Sequence, residues 1–143
     1  MRISIPPFWR ARIHKYRLVA TKCKKCGVTL YPPASICRHC GSREVEQVEL
    51  INEKARLLTW TVIYSVMEGF EGRRPLVIGI LETVENRARI LAPLTDVLPS
   101  ELKPGMLMEP VIRRIREEGE AGLVYYGIAF RPVLSSESPR PRE

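Results

Sequence analysis

Cys23-Lys24-Lys25-Cys26-Gly27 is answered ten residues later by Cys37-Arg38-His39-Cys40-Gly41, and these two stretches hold all four cysteines of the chain. Two residues between thiols let one tight turn aim both sulfurs at a point, and the glycine after each pair suits the left-handed backbone of such a turn. Two turns facing each other make a closed tetrahedral sulfur cage without an open coordination position, which favours structural zinc over a catalytic metal. The spacing therefore predicts a zinc ribbon with Cys23, Cys26, Cys37 and Cys40 as ligands. Iron in a rubredoxin-like cage suits the same ligand set, and two disulfides or four separate buried thiols are the other uses of four cysteines. A ribbon staples a small module together. It does not name a function.

At 143 residues the chain has the length of one ordinary domain, or of two small ones sharing an interface. With 45% hydrophobic and 27% charged residues it can bury a core. No run approaches the roughly 18 to 20 apolar residues that span a membrane. Met1 to Arg17 is basic but lacks the apolar segment of a secretory signal, so a reducing cytoplasm is the expected setting. The net charge of +7 is unevenly spread. Residues 1–43 hold ten Lys/Arg and no acid, whereas residues 44–143 hold 13 Lys/Arg against 16 Asp/Glu. Such a basic end suits a polyanion, a phosphorylated cofactor or an acidic protein surface, or is simply solvated.

Pro6-Pro7 is placed to open a helix, and Trp9, Ile13, Tyr16 and Ala20 then fall on one stripe with Arg10, Arg12, Lys15 and Arg17 off it. Such a stripe packs on the following domain or is kept for a partner; Phe8 and Trp9 together at the start favour a partner. Residues 1–20 are thus expected as a helical docking segment and 21–43 as the ribbon, with a strand over 44–50 next.

The rest is β-rich. Residues 57–66 alternate, with Leu58, Trp60, Val62, Tyr64 and Val66 expected on the core face. Residues 68–75 read as a loop and 76–84 as an apolar strand whose Gly79 suggests a bend or bulge. A turn at Glu85-Asn86 leads into 88–92, and a crossing over 93–104 carries a helical turn at 100–103. Strands follow over 106–112 and 123–131 around a charged tip at 113–122, and Pro110 confines its strand to an edge or a bulge. Five strands, the first long and a wider connection between third and fourth, form the pattern of an OB-fold over 44–133, with a small β-sandwich as the alternative. Residues 134–143 are polar and proline-rich, a composition expected to be disordered.

The fold class expected is therefore mainly β: an N-terminal helix, a rubredoxin-like zinc ribbon and a five-stranded OB-fold barrel. Phe8-Trp9, the two cysteine turns, Tyr31-Pro32-Pro33, Lys103-Pro104-Gly105-Met106 and the run from Tyr125 to Pro132 resemble the acyl-CoA-associated OB-fold/zinc-ribbon family across residues 5–133. The chain is most similar to archaeal members, some of which join an acetoacetyl-CoA thiolase to a 3-hydroxy-3-methylglutaryl-CoA synthase of the mevalonate pathway. That resemblance implies a scaffold that holds the CoA arm while chemistry stays in thiolase-fold partners. Phe8, Trp9, Ile13 and Tyr16 are then the candidate partner contacts. Lys22, Lys24 and Lys25 are the candidate contacts for the CoA phosphates, and an apolar OB groove would suit the pantetheine.

The residues themselves argue in the same direction. His14 and His39 sit on a basic helix and in a cysteine turn, settings that favour solvated side chains. No Gly-x-Ser-x-Gly, phosphate loop or GxGxxG is present. Asp96 and Glu101 read as caps rather than an acid/base pair. An accessory role is expected over an independent enzyme. An RNA- or single-strand-binding protein is the main rival, favoured by the pI near 9.5 and opposed by aromatics that share a face with core residues. A purely structural module is the third reading.

Overall fold

The computed structural model describes residues 4–134; the expected disordered tail lies, apart from Leu134, outside the described residues. Two prolines open helix α1 (Ile5–Arg10), which costs nothing because a first turn has no use for their missing N–H groups. The helix does not run on to Ala20 as the stripe suggested. It breaks at Ala11, where the Arg12 guanidinium donates to the Trp9 carbonyl at 2.8 Å, and resumes as α2 (Arg12–Tyr16). Leu18 then takes a left-handed φ of 48° and redirects the chain into strand β1 (Val19–Cys23), which contains Ala20.

Strand β1 lies between β2 (Thr29–Leu30) and β3 (Val45–Glu49) in an antiparallel three-stranded sheet, with Val19 opposite Glu49 and Cys23 opposite Val45. The strand expected over 44–50 therefore pairs within the ribbon. A second sheet holds β4 (Ala55–Ile63), β5 (Leu76–Thr83), β6 (Arg89–Pro93), β7 (Leu107–Glu117) and β8 (Val124–Pro132), in the order β6-β5-β4-β7-β8. Counted along the chain, this order is third, second, first, fourth, fifth, the arrangement of an OB-fold. Among the described residues the two outer strands are joined by a parallel bridge between Leu94, just past β6, and Phe130, so the barrel is drawn together without being fully closed. Strand β7 pairs with β4 only at Met108 and Leu107. Pro110 lies beyond that point, on the free flank its missing N–H requires.

The long first OB strand departs from simple alternation. A bulge between Leu57 and Thr59 shifts the register against β5. One extra residue reverses which side chains face inward. Ala55 and Leu57 are buried ahead of it, Leu58 is pushed out at 40% exposure, and Trp60 and Val62 turn back toward the core. Tyr64, placed on the core face by strict alternation, lies past the strand end and is 73% exposed. The charged run after Ile112 also differs from expectation, since β7 continues to Glu117, held opposite Val124 of β8.

Leu18, Ala20 and Leu50 from the ribbon side and Leu57, Leu81, Ile90, Met108 and Phe130 from the OB side form one continuous buried cluster. Among the described residues these side chains fill the barrel interior. Gly79 belongs to this packing. The bulge is on the neighbouring strand, and a Cβ on Gly79 would stand 2.8 Å from a Leu57 methyl and 3.1 Å from one of Leu94. Gly79→Val is expected to destabilise by about 1–3 kcal/mol through overpacking, read as a lower urea midpoint at unchanged slope. A midpoint equal to that of the unaltered chain would show that the core gives way freely there.

Candidate metal centre and docking face

The two cysteine turns are copies of one another. In each, the first cysteine N–H donates to a carbonyl five residues on (Cys23 to Val28, 3.0 Å; Cys37 to Ser42, 2.9 Å). In each, the glycine N–H returns to the first cysteine carbonyl at 2.9 Å. Gly27 and Gly41 have φ of 75° and 72°, with open space where a Cβ would sit. Glycine is needed there for backbone conformation, not for room.

The turns bring the four sulfurs within 4.8 Å of one another. Cys23 and Cys40 sulfurs are 3.5 Å apart and those of Cys26 and Cys37 are 3.6 Å apart, so no disulfide joins them. A Zn–S bond of about 2.3 Å puts tetrahedral sulfurs roughly 3.8 Å apart, so the donor set and its dimensions fit zinc. The electrostatics agree. The Cys26 N–H aimed at its sulfur holds the Cys23 thiol down to about 6, and the Cys40 and His39 N–H groups lower Cys37 in the same way. At Cys26 the Val28 N–H also pulls downward, but burial and the three neighbouring sulfurs overrule it and push the thiol up to about 12. Four thiolates this close need a cation to share their charge.

Lys22, Lys24 and Lys25 lie at the end of β1 and in the first cysteine turn. Lys24 Nζ is 3.9 Å from Glu46, while Lys25 is exposed at the tip. His14 and His39 are both exposed.

The helical stripe divides between two faces. Phe8 meets the edge of the Tyr125 ring at 4.8 Å, and the Tyr16 hydroxyl donates to the Tyr126 carbonyl at 3.2 Å, so these two residues brace the helices on β8. Lys15 lies over the Phe8 ring at 4.3 Å. Ile5, Trp9 and Ile13, four residues apart, face outward at 59%, 63% and 50% exposure. The Arg12 guanidinium stacks 3.9 Å above the Trp9 ring and holds it in place. Ile5, which the stripe read from the sequence did not include, extends the spacing of Trp9 and Ile13 by one turn. Among the described residues no helix is long and apolar enough to cross a membrane.

Residues 14–46 match the family model of the ChsH2 rubredoxin-like zinc ribbon domain, and residues 47–113 that of the ChsH2 C-terminal OB-fold domain. A DUF35 domain-containing scaffold protein of Pyrococcus furiosus is 40% identical over 94% of this chain and 97% of its own length. A probable enoyl-CoA hydratase alpha subunit of Thermomonospora curvata is 28% identical over 91% of this chain, which spans 38% of that longer protein. Among solved structures, a chain of the Ltp2-ChsH2(DUF35) aldolase superposes with a TM-score of 0.63 at 25% identity, covering 92% of this chain and 98% of that one. Ribbon, OB order and near-full-length similarity agree: the chain belongs to the DUF35 family of scaffold proteins, built from a ChsH2-type zinc ribbon and OB-fold.

Proposed function

We propose that this chain is a non-catalytic scaffold subunit that docks onto a thiolase-superfamily enzyme and helps to hold its CoA. The partner pair proposed is acetoacetyl-CoA thiolase with 3-hydroxy-3-methylglutaryl-CoA synthase, the pair that some archaeal members of the family it resembles join. The observation that carries the reading is the outward stripe Ile5–Trp9–Ile13 on helices braced from behind by Tyr125 and Tyr126. Aromatic and aliphatic anchors rimmed by arginines are the composition of a protein-binding hot spot. The DUF35 chain of a named aldolase assembly and the hydratase subunit that contains a matching segment support a setting in acyl-CoA chemistry. The ribbon lysines Lys22, Lys24 and Lys25 remain the proposed contacts for CoA phosphates, with Lys24 weakened by its Glu46 neighbour.

Trp9→Ala combined with Ile13→Ala is expected to weaken binding to the purified thiolase at least tenfold, since central anchors contribute about 2 kcal/mol or more each. Both side chains point to solvent, so the thermal midpoint of the chain alone should stay where it is. Phe8 is left intact because it supports the fold. Equal affinity in titration calorimetry of the altered and unaltered chains would overturn the docking reading.

A further inference from the structure

We infer that the cleft between the loop 64–75 and strand β7 is a binding site for a phosphate group on a small ligand, with Arg73 and Arg113 as its cations. The cleft has a volume of about 200 Å³ and is lined on one side by Gly69, Gly72 and Arg73 and on the other by Thr95 and the β7 run 113–117, Arg116 and Glu117 included. It opens between the first and second OB strands and beside the hairpin of the fourth and fifth, the loops through which OB-folds take ligands. The sequence alone gives no hint of it, because Arg73, Asp96 and Arg113 meet only through the topology.

The charges in the cleft are incompletely matched. Arg113 Nη2 is 2.7 Å from Asp96 Oδ2, and Arg114 Nε is 3.0 Å from Glu117 Oε1. Arg73, by contrast, makes no ion pair within 4 Å among the described residues, and Asp96 acts on it only at longer range. Its Nη1 is buried and has no hydrogen-bond partner among the described residues. A buried donor without an acceptor is costly, more so when charged. Burial and the like charge of Arg113 hold Arg73 below the usual arginine range, although Asp96 partly compensates. A phosphate in the cleft supplies the acceptor that Arg73 lacks and lies beside Arg113, whose Nη1 and Nη2 already donate to the Ile112 carbonyl and to Asp96; the planar fork of arginine suits its oxygens. The rim disfavours a nucleic-acid strand, since Glu68, Glu118 and Glu120 surround the neighbouring mouths and would face its backbone. A single phosphate need not pass those three, and Glu117, which lines the cleft itself, is paired with Arg114.

The site is distinct from the ribbon lysines and is tested without any enzyme partner, so its failure leaves the docking reading standing. Calorimetric titration of the zinc-loaded full chain with inorganic phosphate, and separately with CoA, is the experiment. Saturable binding is expected. Arg73→Gln should weaken it tenfold or more, Arg73→Lys should weaken it less, and Lys25→Gln should leave it unchanged, with unfolding midpoints recorded for each. Competition of phosphate by CoA would assign the group to a cofactor arm; phosphate binding alone would assign it to the free ion. Either result upholds the site. Absence of saturable binding, or equal affinity with and without Arg73 in folded protein, overturns it. So does tighter, steeply salt-dependent binding of an oligouridylate, which would mark the arginines as a polyanion surface.

Discussion

Cys23→Ser is expected to release the metal and unfold the ribbon. The ribbon sheet consists of strands of five, two and five residues, too little to fold by burial alone. Metal binding in such modules contributes on the order of 10 kcal/mol to folding. The effect should extend past the ribbon, because Cys23 ends the strand whose Ala20, with Leu18 just before it, lies in the same core as Leu57 and Phe130. The purified chain should carry about one zinc and the variant little or none, with a lower and broader thermal transition. A chelator or mild acid should act in the same direction, since every ligand must stay deprotonated to hold the metal. Full metal content and an unchanged melting profile in the variant would refute the four-sulfur cage.

The second large effect is expected from Phe130→Ala. Phe130 is among the largest fully buried side chains, and it sits where the sheet is drawn together. Its carbonyl accepts the Thr95 N–H at 2.9 Å, and Leu94 bridges to it across the gap between β6 and β8. Truncating a buried phenylalanine costs about 3–5 kcal/mol in lost burial and residual cavity. That is a large share of the roughly 5–15 kcal/mol that holds a domain of this size. Denaturant unfolding should show the loss as a shifted midpoint. A change below about 1 kcal/mol would mean that the barrel tolerates opening at this seam.

The parts legible in the sequence are those whose physics is local. Cysteine spacing places sulfurs by turn geometry alone, and Gly27 and Gly41 confirm the turns by their backbone angles. The five OB strands show through alternation and through the loops that separate them. What escaped is decided by contacts distant in sequence. Leu58 looks like a core residue until the register against β5 requires a bulge. The partial burial of Phe8 and the exposure of Trp9, adjacent and both aromatic, depend on Tyr125 at the far end of the chain. The acidic and basic run 113–117 reads as a loop tip by composition, yet it forms strand because β8 supplies a partner along its length.

The division of the helical stripe has a consequence for binding. A short amphipathic helix that lay free would have to be ordered at the moment of association, and that entropy would be subtracted from the affinity. Here Phe8 on Tyr125 and Tyr16 on Tyr126 have met that requirement in the unbound chain. In the docking proposed above, Ile5, Trp9 and Ile13 would meet the partner on helices already seated on β8. The gain should appear as a slower dissociation rate, not a faster encounter.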